Sequence, residues 1–288
     1  MEKTQIDRKK VKGIIMILTC QKYKVSRIKR FKLPKDEYEG WKIIYILGNL
    51  FLEKDYELEN NILKIKTEDS YLHLFKKVVL GEKYLDQIFD IEEGILKVDD
   101  DIILNEKNLI NFLNSDKKEF IGKIKSKKDI INFDKNLLKK NYKNNFMINY
   151  YFKKDEEFKN KYNGMHNLNM IKLRKYNIYN YYADKIGTSG GIYYISKKCY
   201  KILINFMEKI NFDIFYFDNM SKSYPFLIED GGTSFILLMS NINMYHNDNM
   251  YSDINEENKL SLGYHTNLFK TKKNKINLEI LNKINNII

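Results

Sequence analysis

Three short, nearly continuous apolar runs, each stopped by polar residues, set the strongest limit on what this chain folds into. Val11–Thr19 (VKGIIMILT), Trp41–Gly48 (WKIIYILG) and Gly94–Val98 (GILKV) read as strands covered on both faces, and Asn61–Lys66 adds a shorter one. Between them, Lys22–Leu33 is basic and helix-compatible until Pro34 ends it. Ser70–Phe89 carries apolar residues at 71, 72, 74, 75, 78, 79 and 85, a helical rhythm, and Lys107–Leu113 predicts a further helix. Strand alternating with helix predicts an α/β fold, a Rossmann-like, mostly parallel, doubly wound sheet with helices on both faces. Ligands of such sheets bind outside the carboxyl ends of the strands, where Thr19-Cys20, Gly48-Asn49 and Asp99–Asp101 fall.

The remainder of the chain is less patterned. Asp116–Lys161 is rich in Lys and Asn, which predicts strand pieces and a mobile loop, and Phe269–Ile288 predicts a short amphipathic helix. With neither a Pro/Gly/Ser-rich linker nor an internal repeat, one domain with two lobes is expected. The longest apolar runs, Gly13–Cys20 and Ile43–Leu52, fall short of the ~20 residues that span a bilayer. The opening MEKTQIDRKK has no apolar signal-peptide region. A cytoplasmic protein without an integral membrane segment is therefore expected, or one working in a host-cell or viral compartment. Cys20 and Cys199 suit unpaired thiols in a reducing environment.

The formal charge of +12 first suggests nucleic acid. Yet among the 50 basic residues only Arg8, Arg27, Arg30 and Arg174 are arginine, the side chain best suited to bidentate phosphate and base contacts. There is one alanine, Ala183, amid abundant Lys, Asn, Ile and Tyr, a skew toward AT-rich codons. The charge thus reads as compositional bias, and no nucleic-acid partner is expected.

Chemistry concentrates elsewhere. Asp99, Asp100 and Asp101 are costly together unless something cationic neutralises them. If the strand pattern continues, Asp99 and Asp101 share a side and can hold a hard cation, Mn²⁺ or Mg²⁺, which in turn holds a diphosphate; the bland alternative is a solvated acidic turn. Arg27 and Arg30 are candidate diphosphate contacts or an ordinary basic helix face. Lys77 either reaches the same phosphates or pairs with Asp69 at the surface. Gly187, Gly190 and Gly191 suggest close approach of backbone to a ligand, or a turn before the Ile192–Ser196 strand. Asp230 either caps an apolar helix over Ser234–Met239 or serves a substrate that approaches over bare Gly231-Gly232.

Several segments, in order, carry a resemblance. KVDDDIILN resembles the Asp-x-Asp segment of the β-1,3-galactosyltransferase and Fringe group, inverting glycosyltransferases of the GT-A fold. Asp69-Ser70-Tyr71 with Leu74 and Lys77 is similar to that family's D-x-Y-x-N-L-T-x-K stretch, with His73 at the Asn place and Phe75 at the Thr place. IIMILT followed by Arg27 and Arg30 resembles its first strand and R-x-x-I-R helix, and WKIIYILGN its second strand. Residues 187–196 (GTSGGIYYIS) resemble the acceptor-side C-S-G-G-G-Y-V-L-S strand, and Ile228-Glu229-Asp230 the E-D-V-Y-x-G segment, with Gly231 at the Val place.

The resemblance implies a single GT-A domain over 1–288, with a nucleotide-binding half at 11–115, a smaller acceptor-binding lobe at 116–267 and a tail at 268–288. It implies a UDP-sugar-dependent inverting hexosyltransferase that uses Mn²⁺ or Mg²⁺ and acts on a hydroxyl of a glycan or glycoprotein acceptor, forming a β-1,3 bond. Asp101 would be the direct metal ligand, with Asp99 on the metal, its waters or the ribose. Thr19, Arg27, Arg30, Lys77 and Asp100 would line the nucleotide. The family's late histidine ligand falls at His265, with His246 as the alternative. Asp230 would be the catalytic base, with Glu229 as the alternative or as a sugar contact beside Gly190 and Gly191. Because His73, Phe75 and Gly231 depart from the pattern, the competing expectation is a catalytically degenerate protein that binds glycan or nucleotide sugar.

Overall fold

A computed structural model describes residues 8–28, 33–69, 73–124, 187–208, 229–253 and 258–266. Strand β1 (Lys9–Leu18) runs through the middle of its main sheet, parallel to β3 (Trp41–Gly48) on one side and to β6 (Phe89–Asp99) on the other. Beyond β3 lie β5 (Ile62–Ile65), parallel to it, and β4 (Tyr56–Glu59), antiparallel at the edge; β2 (Glu37–Tyr38) pairs with the start of β3. Beyond β6 come β9 (Thr188–Ser196), antiparallel to both neighbours, then β8 (Phe120–Ile124) and β10 (Met244–His246). The sheet is thus parallel at its centre and antiparallel toward its flanks.

The apolar run of β1 is continuous because both of its faces are covered. Ile14, Met16 and Leu18 pack toward α1 (Leu74–Ile88), α3 (Lys197–Met207) and α4 (Glu229–Met239), meeting Phe75, Val78, Leu203 and Leu237. Ile15 and Ile17 alternate to the other face, where α2 (Glu106–Asn114) supplies Leu109 and Leu113. Each such fully buried aliphatic side chain is worth about 1.5–3 kcal/mol relative to exposure. Gly13 is bare for a packing reason: a Cβ there would sit 2.4 Å from ring carbons of Trp41, which is itself fully buried.

The predicted α/β class and its buried strands are present, with adjustments. The 70–89 helix is seen as Leu74–Ile88, its first residues lying outside the described ones. Of the 22–33 helix only a π-type turn, Lys24–Ile28, is seen before the described residues pause at 29–32. The Lys- and Asn-rich stretch begins with an inner strand, β8, and continues outside the described residues, as does the tail at 269–288. Among the described residues no helix is long and apolar enough to cross a membrane.

A second, three-stranded sheet positions the candidate site. β7 (Ile102–Leu104) pairs antiparallel with β12 (Gly263–His265), and β12 pairs with β11 (Ser252–Asp253). The register sets His265 opposite Ile102, immediately after the three aspartates.

Candidate functional site

At the carboxyl end of β1 the chain is clamped from several sides. The Thr19 amide donates to Ile46 O at 3.1 Å, and its hydroxyl donates to Asp100 Oδ2 at 2.8 Å. Lys77 reaches from α1 to donate to Thr19 O at 2.7 Å and to Asp69 Oδ1 at 2.8 Å. Asp69 Oδ2 in turn accepts from the Gln21 amide at 2.6 Å. Lys77 therefore takes the pairing alternative, as a buried ion pair rather than a surface one: with 3% of its surface exposed, its ammonium is committed to holding the loop after β1.

The three aspartates do not follow the strand pattern. β6 ends at Asp99, so side-chain alternation stops there and the next two residues turn. Each carboxylate faces a different partner: Asp99 Oδ1 meets Lys97 Nζ at 2.7 Å, Asp100 meets Thr19, and Asp101 Oδ2 lies 3.4 Å from His265 Nε2. Asp101 is fixed through its backbone as well, its carbonyl accepting from the Thr266 amide and hydroxyl, each at 3.1 Å. The expected sharing of one side by Asp99 and Asp101 thus gives way to an Asp101–His265 pair, with Asp99 turned to Lys97.

The geometry separates the two histidines. His246 sits at the β8–β10 edge, where its Nδ1 accepts from the Ile124 amide at 3.0 Å and its Nε2 lies 2.8 Å from Asp248 without making a hydrogen bond. His265 stands at the acidic turn, with Nδ1 3.6 Å from Asp253. The hydrogen bond to Asp101 raises its imidazole above the ordinary histidine value, against the opposing effect of burial. Among the described residues no group of three or more His, Cys, Asp or Glu side chains converges in a metal-ligand cluster; Asp101 and His265 are a two-donor pair.

Behind Asp99 lies a buried polar knot. Lys97, fully buried, donates to Asp99, to the Gly190 carbonyl and toward Glu229 Oε2 at 3.2 Å. The Tyr193 hydroxyl donates to Glu229 Oε1. Burial works to lower the Lys97 ammonium, but Asp99, Glu229 and Asp230 outweigh it and hold it above the ordinary lysine range. Burial raises the Glu229 carboxyl; Lys97 opposes this and Asp230 adds to it. With 4% exposure and both oxygens engaged, Glu229 is not placed to take a proton from a substrate or to touch a sugar.

Asp230 sits in the first turn of α4, which starts at Glu229 and not near Ser234. Its Oδ1 accepts from the Gly231 amide at 2.8 Å, at a helix end that favours negative charge. The bare backbone beside it is not Gly231-Gly232, which are buried inside α4, but Gly190 across the gap: a Cβ there would come within 3.3 Å of Asp230 Oδ2. Gly191 packs instead toward the Tyr251 ring and Ile102, 3.2 and 3.4 Å from where its Cβ would lie.

Arg27 lies on the π-type turn with its side chain outside what is described, and Arg30 lies outside the described residues altogether. The departures at His73, Phe75 and Gly231 all occupy buried packing positions. Burial lowers the His73 imidazole to about 4. Tyr193, which the sequence offers with Tyr181 and Tyr182 as a ring to stack on a sugar, is fully buried and held by Glu229. Lys97 is the site residue that sequence reasoning misses, although a lone lysine inside GILKV, two residues ahead of an aspartate and so on its face, is a readable signal. Compared with known proteins, the chain matches no family model and no curated protein sequence.

Proposed function

We propose that this chain is an inverting, metal-dependent glycosyltransferase that moves a hexose or N-acetylhexosamine from a UDP-sugar to a hydroxyl of a glycan acceptor, in a β-1,3 bond, on a GT-A fold. The observation that carries this is the link that Lys97 makes from Asp99, which opens the acidic turn with its Asp101–His265 pair, to Glu229, which precedes Asp230. The order of the motifs that resemble the Fringe group supports the same reading.

The donor set suits a hard divalent cation. Such an ion commonly keeps only one or two protein ligands and takes the rest of its shell from water and substrate phosphates. Asp101 and His265 would hold it, and when bound it would offset the negative charge of the departing nucleoside diphosphate. Thr19 and Asp100, hydrogen-bonded to each other, line the nucleotide side. Asp230 takes the proton of the acceptor hydroxyl, whose oxygen forms a bond to the anomeric carbon as the bond to the diphosphate oxygen breaks and its electron pair leaves with UDP. Asp230, 7% exposed, packs against the bare backbone of Gly190, where a side chain would crowd its Oδ2.

Incubation with Mn²⁺ and a panel of UDP-Gal, UDP-GlcNAc and UDP-Glc, with an assay for released UDP, tests this. UDP release from at least one donor is expected. Neither release nor binding with any donor contradicts it.

A further inference from the structure

Lys97 stands out among the buried charges because its ammonium has three N–H donors and faces three acceptors that belong to three different elements. These are Asp99 at the end of β6, the Gly190 carbonyl in β9 and Glu229 at the start of α4. The Tyr193 ring lies 5.3 Å from the same nitrogen. The side chain springs from the middle of the sheet, where Lys97 is paired with Met16 of β1 and Tyr193 of β9, so its base does not shift easily. Each of its partners adjoins a residue assigned to the chemistry. Asp99 opens the acidic turn that ends at Asp101, Glu229 precedes Asp230, and Gly190 is the backbone against Asp230 Oδ2.

We infer that Lys97 is a positioning residue that fixes the spacing between the nucleotide-side aspartates and the acceptor-side Asp230. The inference rests on the glycosyltransferase reading and adds a residue that touches neither substrate. A misplacement of about 1 Å in such a site costs about 10²-fold in rate even when ground-state binding survives. Loss of Lys97 therefore lowers kcat for transfer and leaves donor KM nearly unchanged.

K97M alone strands Glu229, whose side chain is 3% exposed, and invites unfolding. The double variant K97M/E229Q removes that stranded charge; Tyr193 still has an oxygen to donate to, and Asp99, with 34% of its side chain exposed, turns to water. The expected result is a double variant that folds, judged by its melting transition, with donor KM within about threefold of wild type and kcat for transfer down about 10²-fold. E229Q alone, which keeps Lys97, retains most of the kcat. A folded double variant with wild-type kcat overturns the inference and leaves Lys97 a charge-balancing residue only. So does a double variant whose loss is carried wholly by KM. Wild-type protein that releases no UDP from any donor overturns the glycosyltransferase reading itself, a result separable from both.

Discussion

Two buried lysines, Lys77 and Lys97, frame opposite kinds of site. Lys77 pairs with one carboxylate, Asp69, and one backbone carbonyl, so its charge is balanced and its work is to pin the loop after β1. Lys97 meets two carboxylates, Asp99 and Glu229, with Asp230 also acting on it, and beyond Asp99 the acidic turn pairs Asp101 with His265. The first cluster is complete as a structural clamp. The second gathers carboxylates of the acidic turn and of α4 around one lysine, the kind of donor a divalent cation would use. That difference is why the proposed chemistry is assigned to the acidic turn and not to the Lys77 clamp.

The largest effect is expected at the base. Asp230→Asn should lower kcat by about 10²–10⁴-fold, with the melting temperature and UDP binding retained. Retained kcat would remove Asp230 from the mechanism. Next, Lys77→Met should break a buried ion pair and destabilise the fold by about 3–5 kcal/mol in denaturant titrations, without abolishing Mn²⁺ binding. Loss of metal binding with unchanged stability would erase the contrast between the two lysines. His265→Ala should weaken Mn²⁺ binding at least about tenfold while leaving the fold intact, whereas His246→Ala should not.

The smallest effect concerns Glu82, which is fully buried on α1 with neither carboxylate oxygen hydrogen-bonded. Burial, reinforced by Glu229, pushes its carboxyl well above the ordinary value of 4.5. The folded state therefore holds this proton more tightly than the unfolded chain. The contribution to stability is present below pH 4.5 and is lost as pH rises toward the folded-state value. Glu82→Met should raise stability by about 1–3 kcal/mol at neutral pH. Melting curves from pH 4.5 upward should show the gain over wild type growing with pH; a constant or shrinking gain would show that Glu82 is not held protonated.

Much of the frame was legible in the sequence because burial on both faces leaves unbroken apolar runs, as in β1 and β3, and because α1 keeps its helical rhythm. Motif order proposes roles for Asp101, His265 and Asp230. Their geometry was not legible from it. Alternation governs a strand only to its last residue, so the fan of Asp99, Asp100 and Asp101 toward three partners depended on where β6 stops. The pairing of β12 with β7, which sets His265 opposite Ile102 beside the acidic turn, is a long-range register that local pattern does not encode. β4, with charges at alternate positions on an exposed edge, gave no apolar run to find.

The central claim is that the acidic turn needs a divalent cation to hold a uridine diphosphate. Calorimetric titration of UDP into the protein, with and without Mn²⁺, tests it most directly. The account predicts UDP binding that requires Mn²⁺ and is lost in Asp101→Asn but kept in Asp230→Asn. UDP binding of equal strength without the metal, or binding indifferent to Asp101, would contradict it.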